Sequence, residues 1–159
     1  MKKLFTIVVV FYVNILYAEF QHKEFTMSTP TIEHDHDHNH CHEHNHSGMI
    51  AMFFLPSSNN FSANVNVQKQ LFKEDIGKYR ELTLQQMKIM KFTILKDTVN
   101  KNIFTLEYTG KQQNRNFHWY VKACQKGNFI YLITGATLAE NWSTQGDELK
   151  KSVDSFALK

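Results

Sequence analysis

Phe117-His118-Trp119-Tyr120-Val121-Lys122-Ala123-Cys124, the break Lys126-Gly127-Asn128, and then Phe129-Ile130-Tyr131-Leu132-Ile133-Thr134 form the stretch that decides the fold. Both apolar runs have strand length and are rich in β-branched and aromatic residues, and Gly127 beside Asn128 supplies turn chemistry. In the first run His118, Tyr120, Lys122 and Cys124 fall on one side, and Phe117, Trp119 and Val121 on the other. Strands joined by so short a link pair antiparallel. Upstream, residues 92–96 and 103–108 read the same way, with a hairpin turn over 97–102. Residues 109–116 read as a polar loop carrying Lys111 and Arg115.

Glu74-Asp75 marks a helix start, and Ile76, Tyr79, Thr83, Met87 and Met90 follow at three- and four-residue spacing. This predicts a helix over 75–90 with that stripe as core packing rather than a cofactor box. Earlier still, residues 49–55 make a continuous apolar run stopped by Pro56, residues 57–60 turn, and Asn64-Val65-Asn66-Val67-Gln68 alternates as a half-buried strand does. At the other end Leu138, Trp142, Leu149, Val153 and Phe156 line one face of a final helix. The order is ββαββββα, which predicts an α+β fold: a mostly antiparallel β-sheet flanked by helices.

Several strings within this order, Met52-Phe53-Phe54-Leu55-Pro56, Asn64-Val65-Asn66-Val67, Phe92-Thr93, Glu107-Tyr108-Thr109-Gly110, His118-Trp119-Tyr120, Tyr131-Leu132-Ile133-Thr134 and Val153-Asp154-Ser155-Phe156, together resemble small exported bacterial proteins of the Mog1/PsbP-like type. The resemblance covers about 49–158 and implies an α/β/α sandwich. It carries no catalytic motif, so it implies a fold rather than a reaction. In that family the domains bind partners, a small GTPase in one branch and the oxygen-evolving photosystem in another, with metal binding also proposed there. No residue of those sites transfers to this chain.

The N-terminal part has a different composition. Residues 1–18 read as a secretory signal peptide: Lys2-Lys3, an apolar run over 4–16 interrupted by Asn14, and Tyr17-Ala18, with cleavage expected after Ala18. The run is short for a membrane span, and none follows, so no stable membrane insertion is expected after cleavage. Residues 19–48 hold one lysine against six acids, a net of −5, whereas 49–159 hold fifteen Lys or Arg against nine acids, a net of +6. With few large apolar residues, 19–48 reads as a disordered, acidic, histidine-rich arm ahead of a domain over 49–159. Nucleic acid is not an expected partner of an exported chain whose lysines are dispersed. Two cysteines, Cys41 and Cys124, exclude a disulfide framework and leave a single bridge or two thiols as the alternatives.

Within that arm His34, His36, His38, His40, His42, His44 and His46 alternate with Asp35, Asp37, Asn39, Cys41, Glu43 and Asn45, so seven of nine histidines fall within thirteen residues. Neutral imidazole ligates Zn, Ni and Cu, carboxylates add oxygen donors, and a Cys41 thiolate favours Zn or Cu(I). Along extended chain alternate side chains stand about 6.6 Å apart, so ligation by neighbours requires bending, and many donor sets are available. The pattern lacks the spacing of a zinc finger or of a His-Glu-x-x-His site, so exchangeable, multi-ion binding is expected, weakening as pH falls through about 6.5.

No nucleophile elbow, phosphate loop, dinucleotide fingerprint or convincing carboxylate pair occurs, and the chain reads as a non-enzyme with no organic cofactor. His118 reads as a hydrogen-bonded structural histidine, Glu107 as the partner of a cross-strand lysine, and Trp119 and Trp142 as core anchors or the lining of a groove. Hydrolysis at a metal on the domain is the weakest reading, because His118 has no visible co-ligands. The expectation is a secreted or periplasmic binding protein whose arm captures or buffers divalent Zn, Ni or Cu. The alternative is a protein-interaction module docking an envelope protein partner, with only incidental metal binding.

Overall fold

The structure is a computed structural model that describes residues 18–30 and 48–159. Its elements are β1 (Glu19–Gln21), β2 (Phe25–Ser28), β3 (Met49–Ser58), β4 (Phe61–Leu71), α1 (Ile76–Ile89), β5 (Thr93–Asn100), β6 (Ile103–Gln112), β7 (Arg115–Lys126), β8 (Phe129–Leu138), α2 (Trp142–Asp154) and β9 (Ala157–Leu158). β3 to β8 form one antiparallel sheet in the order β3-β4-β8-β7-β6-β5, and β1-β2-β9 form a second, small antiparallel sheet. The α+β class and the succession ββαββββα hold for the larger sheet and its two helices.

Strand ends extend past the predicted ones for a common reason. The ladder needs only backbone partners, so pairing continues where both faces are wet and the alternating pattern has faded. Residues 109–116 are therefore a hairpin tip rather than a loop: Gly110 pairs with Phe117 and Gln112 with Arg115, and the chain reverses over Gln113 and Asn114, both at positive φ. β5 likewise runs to Asn100 before turning at Lys101 and Asn102. β3 passes through Pro56, which the edge of a sheet tolerates, and its register shifts between Phe54 and Ser57.

The main departure is at 19–28. These residues are strands: β1 pairs with β2, and β2 pairs with β9 through Phe25↔Leu158 and Thr26↔Ala157. Phe25 and Met27 are fully buried, Phe25 lies against Phe156 with ring centroids 4.8 Å apart, and Phe20 meets Phe53 at 5.1 Å. Composition averaged over 19–48 conceals this, because three large apolar side chains, Phe20 on β1 and Phe25 and Met27 on β2, suffice once β9 provides the pairing partner. The domain therefore includes β1 and β2. All but Ala18 of the signal peptide expected over 1–18, and the remainder of the expected arm over 31–47, lie outside the described residues.

The two helices cover opposite faces unequally. On one face α2 buries Leu149 and Val153 completely and sits down on bare backbone at Gly135, where a Cβ would stand 3.2 Å from the Leu149 Cβ and 3.3 Å from the Val153 Cγ2. On the other, Asp75 caps α1 by accepting from the Lys78 N–H at 2.8 Å, but Ile76 is the only fully buried residue of that helix. Tyr79, Thr83 and Met87 face the sheet while staying half-buried, and Met90 is exposed. Even the central strand records the difference: Tyr131 and Ile133 are sealed under α2, whereas Leu132 and Thr134 are not sealed under α1.

Candidate functional site

The proposed metal ligands His34, Asp35, His36, Asp37, His38, His40, Cys41, His42, Glu43, His44 and His46 all lie outside the described residues. The chain on each side of them is firmly placed. At the near end Pro30 is fully buried, and the Thr29 N–H and hydroxyl both donate to the Ala18 carbonyl, at 2.8 and 3.0 Å. The Ser28 N–H donates to the Ser155 hydroxyl at 2.8 Å, and the Ser152 hydroxyl donates to the Ser28 carbonyl at 2.7 Å. At the far end the Lys69 N–H donates to the Gly48 carbonyl at 2.7 Å. Gly48 has φ +78°, and a Cβ there would collide with the Lys69 carbonyl, so only glycine fits. Beside it Lys69 Nζ pairs with Glu24 Oε1 at 2.6 Å, a contact that holds the Glu24 carboxyl below its usual value. The histidine tract is thus an insertion between β2 and β3 with two fixed ends, not a tail preceding the domain.

Among the described residues no group of three or more His, Cys, Asp or Glu is gathered to hold a metal ion. The polar cluster they do form lies under α2. Glu107 of β6 and His118 of β7 stand diagonally across the ladder, and Lys150 reaches them from the helix. His118 Nε2 lies 2.9 Å from Glu107 Oε1, and Lys150 Nζ lies 3.0 Å from the same oxygen. The imidazole lies flat on the Trp142 indole, with centroids 3.6 Å apart and planes at 8°. Burial pushes the Glu107 carboxyl up, but hydrogen bonds from Lys150 and His118 outweigh it and leave the group below its usual range. Burial, helped by the Lys150 charge, moves His118 below its ordinary value despite Glu107. At neutral pH the imidazole is therefore uncharged and donates from Nε2–H to the carboxylate.

This cluster is internally satisfied. His118 is a structural histidine, as its context predicted, and the lysine opposite Glu107 comes from α2 rather than from a neighbouring strand. Cys124 is a buried free thiol whose pKa burial raises, the opposite of what activates a nucleophile. The arrangement has a consequence for stability. As pH falls below about 6.5 the unfolded chain takes up a proton that folded His118 refuses, so stability drops toward acid and is fully present above that value. Thermal unfolding between pH 7.5 and 5.5 should show this loss, with a slope from His118 of at most about 1.4 kcal/mol per pH unit. His118→Gln, which keeps a donor but cannot titrate, should flatten the profile; an unchanged profile would contradict the assignment.

Two concavities open on the incompletely covered face. A cleft of about 340 Å³ separates α1 from the sheet, lined by Phe72, Tyr79, Leu82, Met87, Leu106 and Tyr108 among others. A second, open groove of about 510 Å³ lies between the end of α1 and the β6–β7 hairpin, and includes Met90, Phe92, Tyr108, Lys111 and Trp119. Its floor is a stack: Phe92 and Tyr108 have centroids 5.6 Å apart, and Tyr108 and Trp119 4.8 Å at 18°. Burial pushes the Tyr108 phenol up to about 12, so it remains a proton donor at neutral pH. Sequence alone offered one signal of this groove, the alternation that sends Trp119 to the face opposite His118.

No protein-family model matches the sequence, and no curated protein matches it. Among solved structures the chain is similar to PsbP (CyanoP) from Synechocystis sp. PCC 6803, with 12% identity and a TM-score of 0.60 over 96% of this chain and 98% of that one. It is also similar to a protein of unknown function from Pseudomonas aeruginosa, with 14% identity and a TM-score of 0.57 over 84% and 91% of the two chains. At such identities the likeness speaks for architecture, and in architecture the chain is a PsbP-like α+β protein.

Proposed function

We propose that this chain is a secreted or periplasmic binding protein in which a PsbP-like domain presents a histidine-rich loop that captures divalent Zn, Ni or Cu. The observation that carries the reading is the insertion of seven histidines, Asp35, Asp37, Cys41 and Glu43 between two anchored points, Pro30 and Gly48. Fixing both ends of the tract removes part of the conformational freedom that ligation otherwise has to remove, so a tethered loop loses less entropy on gathering donors than a tail does. Residues 31–47 contain four acids and no Lys or Arg, which favours cation uptake. No catalytic step is assigned to the domain. In this reading the β-sheet is a rigid mount, and the bound metal is an exchangeable cargo released as protons compete for imidazole below about pH 6.5.

The test is calorimetric titration of zinc into the full chain and into a variant whose residues 31–47 are replaced by a Gly-Ser linker of equal length. More than one ion is expected on the former and none on the latter. Equal stoichiometry in the two would overturn the reading. A chain starting at Met49 is not a suitable comparison, because it lacks β1 and β2 and leaves their core partners uncovered. A protein-interaction module is the second reading, supported by the edge strand β5, which exposes Ile94, Leu95 and Val99 beside an unpaired hydrogen-bonding edge. Unchanged cellular metal tolerance after replacement of 31–47 would favour it.

A further inference from the structure

We infer that the cleft under α1 and the groove it adjoins form one binding site for a single-chain amphiphile, with the acyl chain beneath the helix and an anionic head at Tyr108, Trp119 and Lys111. The site is independent of the histidine loop. The cleft has no charged residue in its lining, and its wall is mainly aromatic and aliphatic. Its volume, about 340 Å³, is within the range of small-ligand pockets. It exists because α1 stands off a sheet that α2 meets closely on the opposite side, which leaves Leu132 and Thr134 incompletely sealed in the middle of the sheet.

Tyr108 lines both concavities, which are therefore neighbours. It is 8% exposed, as is Trp119 beside it, and both residues line the open groove, where a phenol hydroxyl and an indole N–H are the polar groups that the two rings can offer. Two neighbouring donors at the mouth of an apolar cleft favour a ligand that brings an acceptor. Charge gives the acceptor its sign. Lys111 is the only ionised group in the groove lining, it has no carboxylate partner among the described residues, and Gln112 and Gln113 complete the rim. An apolar chain ending in an anion satisfies the cleft, the two donors and the cation together, whereas a neutral alcohol leaves Lys111 unpaired and a short carboxylate leaves the cleft empty.

Titration of the full chain with dodecanoate below its micellar concentration tests this, read by the backbone and indole resonances in two-dimensional NMR. Saturable 1:1 binding is expected, with the largest shifts at Tyr108, Trp119 and the inward face of α1. Dodecanol and hexanoate should each bind about tenfold more weakly or worse, and Lys111→Gln and Tyr108→Phe should each weaken dodecanoate by about threefold to tenfold without moving the thermal midpoint. Thr83→Phe, which fills the cleft from its roof, should abolish binding; if that variant fails to fold, Lys111→Gln and Tyr108→Phe carry the test. A lysophosphatidylglycerol of the same chain length distinguishes a lipid from a free acid as the source of the head. Non-saturable uptake, equal affinity for dodecanol, or shifts centred away from Tyr108 and Trp119 would overturn the site.

Discussion

Phe25→Ala is expected to lower stability by about 3–5 kcal/mol, the usual range for emptying a fully buried phenylalanine site. The side chain has no exposed surface and packs against Phe156, Phe20 and the core beneath α2, so its removal leaves a cavity bounded by three separate elements. Because β2 is short, with only β1 and β9 as neighbours, the loss should also release the β2–β9 pairing and free the amides of Thr26, Ala157 and Lys159 to exchange. Urea denaturation with parallel hydrogen exchange checks both effects. A change under about 0.5 kcal/mol is what a surface position away from such packing gives, and it would return 19–30 to the disordered arm that composition suggests.

Leu149→Ala should have a comparable effect, about 3–5 kcal/mol, since Leu149 is fully buried where α2 rests on Gly135. The same contact makes a second substitution informative. Gly135→Ala on its own should cost about 1–3 kcal/mol, because its methyl would press on Leu149 and Val153 in a well-packed layer. Leu149→Ala keeps the Cβ that the methyl would press on, but Val153→Ala removes the Cγ2 at 3.3 Å, so Gly135→Ala combined with Val153→Ala should be more stable than the sum of the two losses by about 0.5 kcal/mol or more. Strict additivity, measured by a denaturant double-mutant cycle, would mean that α2 does not owe its close seat to the missing side chain at 135.

Much of this fold was legible because local pattern and global structure agree. The β7–β8 hairpin follows from alternation, apolar length and Gly127, and α1 begins where Glu74-Asp75 indicated. β1 and β2 escaped reading because a three- or four-residue strand carries almost no periodicity, and its partner β9 lies at the far end of the sequence. In the polar cluster, the face of His118 was legible and its character as a structural histidine followed. Lys150 was not, since which residue of α2 overhangs Glu107 depends on how the helix is rotated and seated. The stripe of α1 showed the helix its inward face, but a hydrophobic period does not state how close two layers come. The cleft is a property of that distance.

The histidine tract was legible in composition and misplaced in topology. Read as part of a tail, 34–46 has one attachment; in the structure the described residues that precede and follow it, up to Pro30 and from Gly48, both belong to the fold. This also separates two kinds of histidine in one chain: His118, held uncharged by burial and the Lys150 charge against the pull of Glu107, and the seven of the tract, which alternate with polar and acidic residues and for which ion capture is the proposed role.

The most direct measurement is zinc titration of isotopically labelled full chain, following histidine ring resonances by NMR at pH 7.5. The account predicts that the rings of His34, His36, His38, His40, His42, His44 and His46 shift or broaden as zinc is added. The rings of His22 and His118 and the amides of the six-stranded sheet should stay in place. Zinc-dependent shifts centred on His118, Glu107 and Lys150, or no change at residues 34–46, would contradict it.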